Sequence, residues 1–419
     1  MKTIIMAGGM GTRIASINSS VPKPMITVLE KPILEYQIEC LKKQGYKDII
    51  IIIGYKGEQI QAYFGNGAAF GVTINYIVEE SPLGTAGALY LLKNKIVEDF
   101  ILINGDIIFD IDIGRFVRYH KQKRGKATIF IHPNDHPFDS GLIRSDKEGR
   151  VLEWLCKEDE RKWYKNRVNA GIHILSSQVL DKITEFKKMD LDRDILKNLI
   201  SEGMLYAYDS PEYVKDMGTP ERLAEVKADI LSGKVKERNL KEKQKAIFLD
   251  RDGTINEYVG FLKHIDDFKL KAGVCEAVRC INESGYLAVV VTNQPVVARG
   301  EVTVDELEEI HNKMETLLGT ERAYVDAIFF CPHHPDRGYE GEVPEYKVKC
   351  ECRKPSPGLL LRAAKEYNID LNQSWMIGDS EIDVEAGIAA GCKVVKLGEG
   401  EKYSDLLCCV KDILPPLRD

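Results

Sequence analysis

Apolar positions along this chain fall into two kinds of run that alternate from one end to the other. Short β-branched runs stand at 3–6, 49–53, 74–78, 100–103 and 128–131, and again at 246–249, 288–292, 327–331, 375–377 and 393–396. Between them lie stretches with apolar residues three or four positions apart, as at 33–44, 85–93, 274–284, 304–318 and 358–367. The first kind predicts buried strands and the second amphipathic helices. Their alternation predicts an α/β fold, two doubly wound domains whose sheets are covered by helices and whose ligands bind beyond the carboxyl ends of the strands.

Two strand-then-glycine openings, at residues 3 and 246, mark where the domains begin. Before the second, residues 233–244 are charge-rich with almost no apolar period, which predicts an exposed linker or a frayed helix end. The expected organisation is a domain at 1–232, a charged linker at 233–244 and a second domain at 245–419.

Composition narrows the function classes. The 419 residues are 44% hydrophobic and 29% charged, with a formal net charge of −7. That charge argues against nucleic acid as a partner, because backbone binding needs a concentrated basic surface. The apolar run at 49–53 is far short of the about 18–20 residues that span a bilayer, so no membrane partner is expected. The apolar start at residues 1–7 breaks at Gly8 and Gly9 and reads as a first strand rather than a signal peptide. Ten cysteines, several inside apolar helices or strands, do not resemble a disulfide framework and point to a reducing, cytoplasmic compartment. A homo-oligomer stays open.

The second half carries four groups of chemistry in order. Asp250 and Asp252 follow a buried strand two residues apart, so one carboxylate can attack phosphorus while the other moves protons. The strand at 288–292 ends in Thr292, Asn293 and Gln294, a hydroxyl and amides able to bind phosphate oxygens. Lys354 offers a cation to the same oxygens. Asp379 and Asp383 end another strand and can complete an oxygen shell for Mg²⁺. Together these motifs resemble the haloacid dehalogenase superfamily. The resemblance implies a parallel sheet, Asp250 as nucleophile, Asp252 as acid/base, and Thr292 and Lys354 as phosphate stabilisers. It places Mg²⁺ on Asp250, the Asp252 carbonyl and Asp379, with Asp383 behind them.

Cys331-Pro-His333-His334 and Cys350-Glu-Cys352 form two tight ligand pairs across a polar loop, which can close a tetrahedral Zn²⁺ site. Either histidine can serve on spacing alone. With four protein ligands and no open position, such a zinc is structural. The pattern FLDRDGTIN…TNQ…ARG…CPHHP…CxCRKPxPG resembles the D-glycero-D-manno-heptose 1,7-bisphosphate phosphatases across about 246–415. That family favours His333 as the ligand and gives Arg353 to substrate recognition, alongside Asn293. Histidinol-phosphate phosphatases share the zinc clip. The chain departs from the family at Pro295-Val296-Val297, at Tyr258-Val259 and at Ser380, positions that touch the sugar rather than the phosphoryl group.

In the first half, Gly8, Gly9 and Gly11, with Thr12 and Arg13, follow the first strand and can admit a triphosphate to backbone N–H groups. Lys23 stands between two prolines. Asp106 and Asp216 each follow an apolar run and can share a Mg²⁺. The pieces AGGMGTR, VPKPM, SPLGTAGAL, NGD, VNAGIHIL and DMGTPERL resemble the sugar-phosphate nucleotidyltransferases across about 1–230. The resemblance implies a mixed sheet and attack of a sugar 1-phosphate on the α-phosphorus of a nucleoside triphosphate. Arg13 and Lys23 would steady the developing charge, Gly84 and Gly87 border the nucleoside, and Asn169 and Gly171 border the sugar. Cys156-Lys157 replaces the common Glu-Lys; Lys157 is expected to meet the sugar phosphate.

A 7-phosphatase acting on heptose 1,7-bisphosphate makes a heptose 1-phosphate, which is an acceptor for the other half. Consecutive steps toward a nucleotide-activated heptose for surface polysaccharide are therefore expected, with GTP and the α-anomer suggested by pathway analogy. The alternative is a mannose- or glucose-type nucleotidyltransferase joined to a phosphatase of other specificity, such as for histidinol phosphate.

Overall fold

A computed structural model describes residues 1–9 and 20–414. By contact the chain divides into two compact units. One comprises Met1–His132, Ile143–Trp154 and Asn169–Asn239; the other comprises Pro133–Leu142, Leu155–Val168 and Leu240–Asp419.

The first unit is built on a mixed sheet. Thr73–Val78, Asp48–Ile53, Thr3–Ala7 and Phe100–Asn104 run parallel in that spatial order. Val168–Leu175 then joins Phe100–Asn104 antiparallel, and Leu205–Asp209 pairs in parallel with Ala127–His132. Both sheet faces are buried: Ile50 and Ile52 enter one core, while Ile49, Ile51 and Ile53 enter the other. An unbroken isoleucine run is what a strand covered on both sides requires. The apolar pattern did not mark Val168–Leu175, because Asn169, Gly171 and His173 interrupt its run.

Two expectations need correction here. The helix foreseen at 85–93 is one α-helical turn, Gly84–Gly87, followed by a 3₁₀ segment, Ala88–Leu92. The stretch 233–244 is not simply an exposed linker. Helix Pro220–Ser232 stops at Gly233, whose φ of 88° only glycine adopts cheaply, and a further turn, Lys234–Glu237, follows. Val235 is buried in one core and Leu240 in another, so two apolar anchors hold a segment whose charge content hides them.

The second unit has a five-stranded parallel sheet ordered Ala327–Cys331, Leu287–Asn293, Ala246–Leu249, Trp375–Gly378, Lys393–Lys396. Strand order reverses beside Ala246–Leu249, so the crevice for a ligand opens at that strand's carboxyl end. Alternate residues feed opposite cores, Ile247 and Leu249 to one and Ala246 and Phe248 to the other. Helix Val304–Thr320 opens with a capping box: Thr303 Oγ1 accepts from Glu306 N–H at 3.1 Å and Glu306 Oε2 from Thr303 N–H at 2.8 Å. Within this unit Arg167 Nη1 donates to Glu315 Oε1 at 3.1 Å, both side chains almost fully buried. The segments 133–142 and 155–168, expected to belong with 1–232, therefore group by contact with the second unit. Their anchors are polar groups, which an apolar pattern cannot signal.

Candidate active sites

Three neighbouring strands of the parallel sheet deliver the phosphatase candidates. Asp250 and Asp252 follow Ala246–Leu249, Thr292 closes Leu287–Asn293, and Asp379 follows Trp375–Gly378. Lys354 arrives from the loop before helix Gly358–Tyr367 and is buried. Its ammonium donates to Asp250 Oδ1 at 2.5 Å, Asp383 Oδ1 at 2.6 Å and the Val291 carbonyl at 2.8 Å. Burial pushes the Asp250 carboxyl up, and the Lys354 charge pulls it back. Burial also works against the Lys354 charge, but Asp250 and Asp383 outweigh it and hold the amine above its ordinary range. Burial, then Asp383, raises Asp379.

Asp250, Asp379 and Asp383 bring carboxylate oxygens within 4.8 Å of one another. Three carboxylates facing one lysine leave a net negative pocket, and oxygen donors of this kind fit a hard divalent cation. Asp379 also closes on Gly253: a Cβ there would lie 1.9 Å from its carboxylate, and φ is 86°. Asp383 belongs to this group with both oxygens engaged, Oδ1 by the Lys354 ammonium and Oδ2 by Ser380 Oγ at 2.5 Å.

Asp252 is held by groups that motif reasoning did not assign. Arg251, fully buried, grips it through Nη2 at 2.9 and 2.8 Å. Gln294 Nε2 donates to Asp252 Oδ2 at 2.7 Å and Asn256 Nδ2 to Oδ1 at 3.1 Å. The signal available was an arginine lodged between two aspartates at a buried strand end. Gln294 also donates to Thr292 Oγ1 at 3.0 Å. Asn293, expected to bind substrate, exchanges two 3.0 Å hydrogen bonds with the Lys354 backbone and so orients that lysine's loop. Asp250, Asp252, Thr292, Gln294 and Lys354 line a cleft of about 300 Å³ with Arg353, room for a small phosphorylated sugar.

Cys331, His333, Cys350 and Cys352 converge as the zinc pattern requires. Sγ–Sγ distances are 3.5 Å for Cys331–Cys350, 3.3 Å for Cys331–Cys352 and 3.2 Å for Cys350–Cys352. His333 Nδ1 lies 3.3 Å from Cys352 Sγ and 3.6 Å from Cys331 Sγ. These separations are too long for a disulfide and match the edges of a tetrahedron around an ion about 2.0–2.3 Å from each donor. His333, not His334, belongs to this four-residue group.

In the first unit a two-stranded ladder sets the backbones of Asp106 and Asp216 on neighbouring rungs. Tyr213–Asp216 pairs antiparallel with Ile107–Asp110, with Asp216 opposite Ile107, and Met217 N–H donates to the Asp106 carbonyl at 3.0 Å. Each carboxylate already faces a cation of the chain, Asp106 the Lys23 ammonium and Asp216 the Arg222 guanidinium through both oxygens at 2.9 Å. Arg222 was not foreseen. Two carboxylates on adjacent rungs have the chemistry to hold a divalent cation.

Gly8 packs so closely that a Cβ would lie 2.1 Å from Glu79 Oε2, whereas a Cβ on Gly9 would meet nothing within 4 Å among the described residues. Gly11, Thr12 and Arg13 lie outside the described residues. Gly84 and Gly87 abut the Met189 and Lys187 carbonyls, with Cβ distances of 2.4 and 2.2 Å, so packing alone requires glycine there. Asn169 Oδ1 accepts from Gly171 N–H at 3.2 Å, and its Nδ2 reaches Asp192 Oδ2 at 3.4 Å. Lys157 falls in the segment that groups with the second unit and is mostly exposed, its nearest carboxylate Glu158 at 4.0 Å.

Comparison with known proteins finds a different family for each half of the chain. The Nucleotidyl transferase family profile matches residues 2–233, and the HAD-hydrolase-like profile matches 351–407. The chain is 30% identical over 233 residues to a mannose-1-phosphate guanylyltransferase of Mycobacterium tuberculosis, covering 55% of this chain and 64% of the relative. It is thus just under two thirds of that relative's length that the chain spans. It is 45% identical over 168 residues to the D-glycero-beta-D-manno-heptose-1,7-bisphosphate 7-phosphatase of Yersinia pestis, covering 38% of this chain and 87% of that protein. Among solved structures, HddC from Yersinia pseudotuberculosis complexed with GMP-PN covers 55% of this chain and 99% of its own, at 26% identity and a TM-score of 0.49. The chain belongs to the nucleotidyl transferase family through residues 2–233 and, through its C-terminal part, to the HAD-like phosphatase family of the Yersinia pestis protein.

Proposed function

We propose that the chain is a bifunctional enzyme of nucleotide-heptose synthesis. The C-terminal unit removes the 7-phosphate of D-glycero-D-manno-heptose 1,7-bisphosphate, and the N-terminal unit joins the resulting heptose 1-phosphate to GMP from GTP, releasing pyrophosphate. The observation that carries it is the pairing, in one chain, of a 45%-identical match to a heptose-bisphosphate 7-phosphatase with a guanylyltransferase-like half. The product of the first chemistry has the acceptor group the second needs.

In the phosphatase unit the Asp250 carboxylate attacks phosphorus and forms an aspartyl phosphate. Asp252, steadied by Arg251 and Gln294, gives its proton to the departing sugar oxygen and later takes one from the attacking water. Lys354 and Thr292 hold the phosphoryl oxygens, and Arg353 meets the sugar side. Mg²⁺ on Asp250, Asp379 and the Asp252 carbonyl would screen the phosphoryl charge from the nucleophile. Zn²⁺ on Cys331, His333, Cys350 and Cys352 would pin the loop ahead of Arg353 and Lys354. In the transferase unit Lys23, with Arg13, steadies the triphosphate charge, Asp106 and Asp216 would hold Mg²⁺ to neutralise it further, and Asn169 and Gly171 border the sugar. Gly8, Gly9, Gly11 and Thr12 would face the nucleotide. Ten cysteines with no disulfide among them, three of them in the zinc clip, suit a reducing cytoplasm.

The anomer has two readings. Pathway analogy with a GTP-using transferase suggests the α form, while the Yersinia pestis relative is named for the β form. Feeding the protein α- and β-heptose 1,7-bisphosphate with each of four nucleoside triphosphates, and analysing products, decides both base and anomer. Absence of turnover of either bisphosphate would sink the heptose assignment; turnover of histidinol phosphate or of a hexose 1-phosphate would support the alternative.

A further inference from the structure

His311 is a buried imidazole to which the phosphoryl chemistry gives no part. Helix Val304–Thr320 carries it, and its ring centroid lies 5.7 Å from that of Phe330, in the strand that leads to Cys331. Its Nε2 stands 3.2 Å from Arg251 Nη1. A guanidinium can only donate, so Nε2 is the acceptor and the ring's own proton sits on Nδ1. Burial, and then the Arg251 charge, holds this imidazole well below its ordinary range, which keeps Nε2 free to accept.

Arg251 is fully buried between that ring and Asp252, and its three nitrogens divide the contacts. Nη1 meets His311, while Nε at 3.2 Å and Nη2 at 2.9 Å donate to Asp252 Oδ1. Nη2 also reaches Oδ2 at 2.8 Å. Asn256 Nδ2 brings a third donor to Oδ1 at 3.1 Å, whereas Oδ2 shares Nη2 with Gln294 Nε2 at 2.7 Å, and Gln294 is a wall of the cleft. Three donors crowd Oδ1, so Oδ2 is the oxygen left able to carry a proton. Without an acceptor at position 311, Nη1 would be a buried donor with nothing to meet, at a cost the guanidinium relieves by turning. Such a turn carries Nη2 away from Asp252.

We propose that His311 is a positioning residue for proton transfer: by accepting from Arg251 Nη1 it fixes the guanidinium that sets Asp252 Oδ2 toward the leaving oxygen. This rests on the C-terminal unit working through an aspartyl phosphate. In the step concerned an Asp250 oxygen bonds to phosphorus and the bond from phosphorus to the ester oxygen breaks. That oxygen leaves with the electron pair and takes the proton from Asp252 Oδ2. Water then bonds to phosphorus and gives a proton back to Asp252, while the Asp250 oxygen departs with its electron pair and phosphate is released. His311 is not among the residues lining the cleft and acts through Arg251 alone. Its influence therefore falls on leaving groups that need a proton. A sugar alkoxide needs one, whereas p-nitrophenolate is stable as the anion at neutral pH.

The test is the ratio of kcat/KM for a sugar phosphate to kcat/KM for p-nitrophenyl phosphate, measured on the full-length protein with Mg²⁺. The sugar ester is heptose 1,7-bisphosphate, or glucose 6-phosphate if the heptose is refused, so the heptose assignment and this proposal fail separately. In His311→Leu the ratio is expected to fall about 10-fold, through kcat for the sugar ester with its KM unchanged, a part of what a well-placed general acid contributes. His311→Asn, polar but too short to meet Nη1, carries the same expectation if the leucine variant does not fold. His311→Gln, whose amide oxygen can accept from Nη1, is expected to restore the ratio to within about 3-fold of the wild type. Equal losses on both esters make His311 a packing residue and overturn the proposal, as does a glutamine variant no better than the leucine one. A wild type that hydrolyses no phosphate ester removes the aspartyl-phosphate reading and the proposal together.

Discussion

The two candidate sites are assembled in different ways. In the phosphatase unit, residues from three adjacent parallel strands meet at one sheet edge, and Asp250, Lys354 and Asp383 already bond one another. In the transferase unit, Asp106 and Asp216 reach the same place through a two-stranded ladder spanning 110 residues of sequence, and each carboxylate is matched to its own cation, Lys23 or Arg222. The first is an excess of carboxylates around one amine; the second is a set of neutralised pairs. A carboxylate surplus demands a cation for assembly, whereas paired carboxylates must release a cation to take one up. The phosphatase site should therefore respond most to loss of a single carboxylate and the transferase site to loss of a pairing partner.

The largest effect expected is from Asp250→Asn. Removing the nucleophile should cut phosphatase turnover on the order of 10⁴-fold, while guanylyl transfer to supplied heptose 1-phosphate continues. Parallel loss of both activities would mean that the two chemistries are not separable by site. Next comes Asp216→Asn, expected to lower nucleotidyl transfer about 10²–10³-fold by weakening the hold on divalent cation and triphosphate. Arg222→Met tests the pairing itself. If the Arg222 pairing merely restrains Asp216, the variant should bind Mg²⁺ more tightly, by titration, than the wild type.

How legible each site was in the sequence follows from the same contrast. Asp250, Asp252, Thr292 and Asp379 each follow or close a short apolar run, and a parallel sheet brings such ends together by its topology; Lys354, on a loop, was marked by its motif Cys-Arg-Lys-Pro instead. The Cys331, His333, Cys350 and Cys352 cluster was legible for a related reason: two tight pairs carry their own geometry, and only the choice between His333 and His334 needed the structure. What was hidden depends on which polar side chains turn toward one another, whether they are neighbours in sequence or far apart. Arg251 gripping Asp252, Asn293 holding the Lys354 backbone and Arg222 on Asp216 are all side-chain choices that no periodicity marks. Gly84 and Gly87, expected beside the nucleoside, carry a second requirement invisible in sequence: the Met189 and Lys187 carbonyls press on them.

The zinc clip gives a prediction of intermediate size. Cys350→Ser leaves three donors where a closed tetrahedron needs four, and the loop ahead of Arg353 loses its anchor. Stability of the second unit should fall by about 2–5 kcal/mol, on the scale of losing a structural cross-link. Calorimetry of wild type and variant, with bound zinc measured on the same samples, would check this; a variant as stable as the wild type with zinc absent from both would remove the metal from the account.

The smallest effect concerns the first unit's core and separates the units by pH. His173 sits in the buried strand Val168–Leu175 with neither ring nitrogen hydrogen-bonded, and burial pushes its imidazole down to about 4. In the unfolded chain the same ring takes up a proton near pH 6.5. Between these values the unfolded state binds more protons than the folded one, so stability is intact above pH 6.5 and falls as pH drops toward 4. The full difference is at most about 3 kcal/mol. His173→Leu removes the titrating ring and an unsatisfied buried polar group together. The variant's unfolding transition for the first unit should therefore match or exceed the wild type at pH 8 and pull ahead of it at pH 5, with the second unit's transition unmoved. Equal pH dependence in the two proteins would show that other groups govern the acid side of this unit's stability, and that the orphaned imidazole is tolerated at no cost the solvent can reveal.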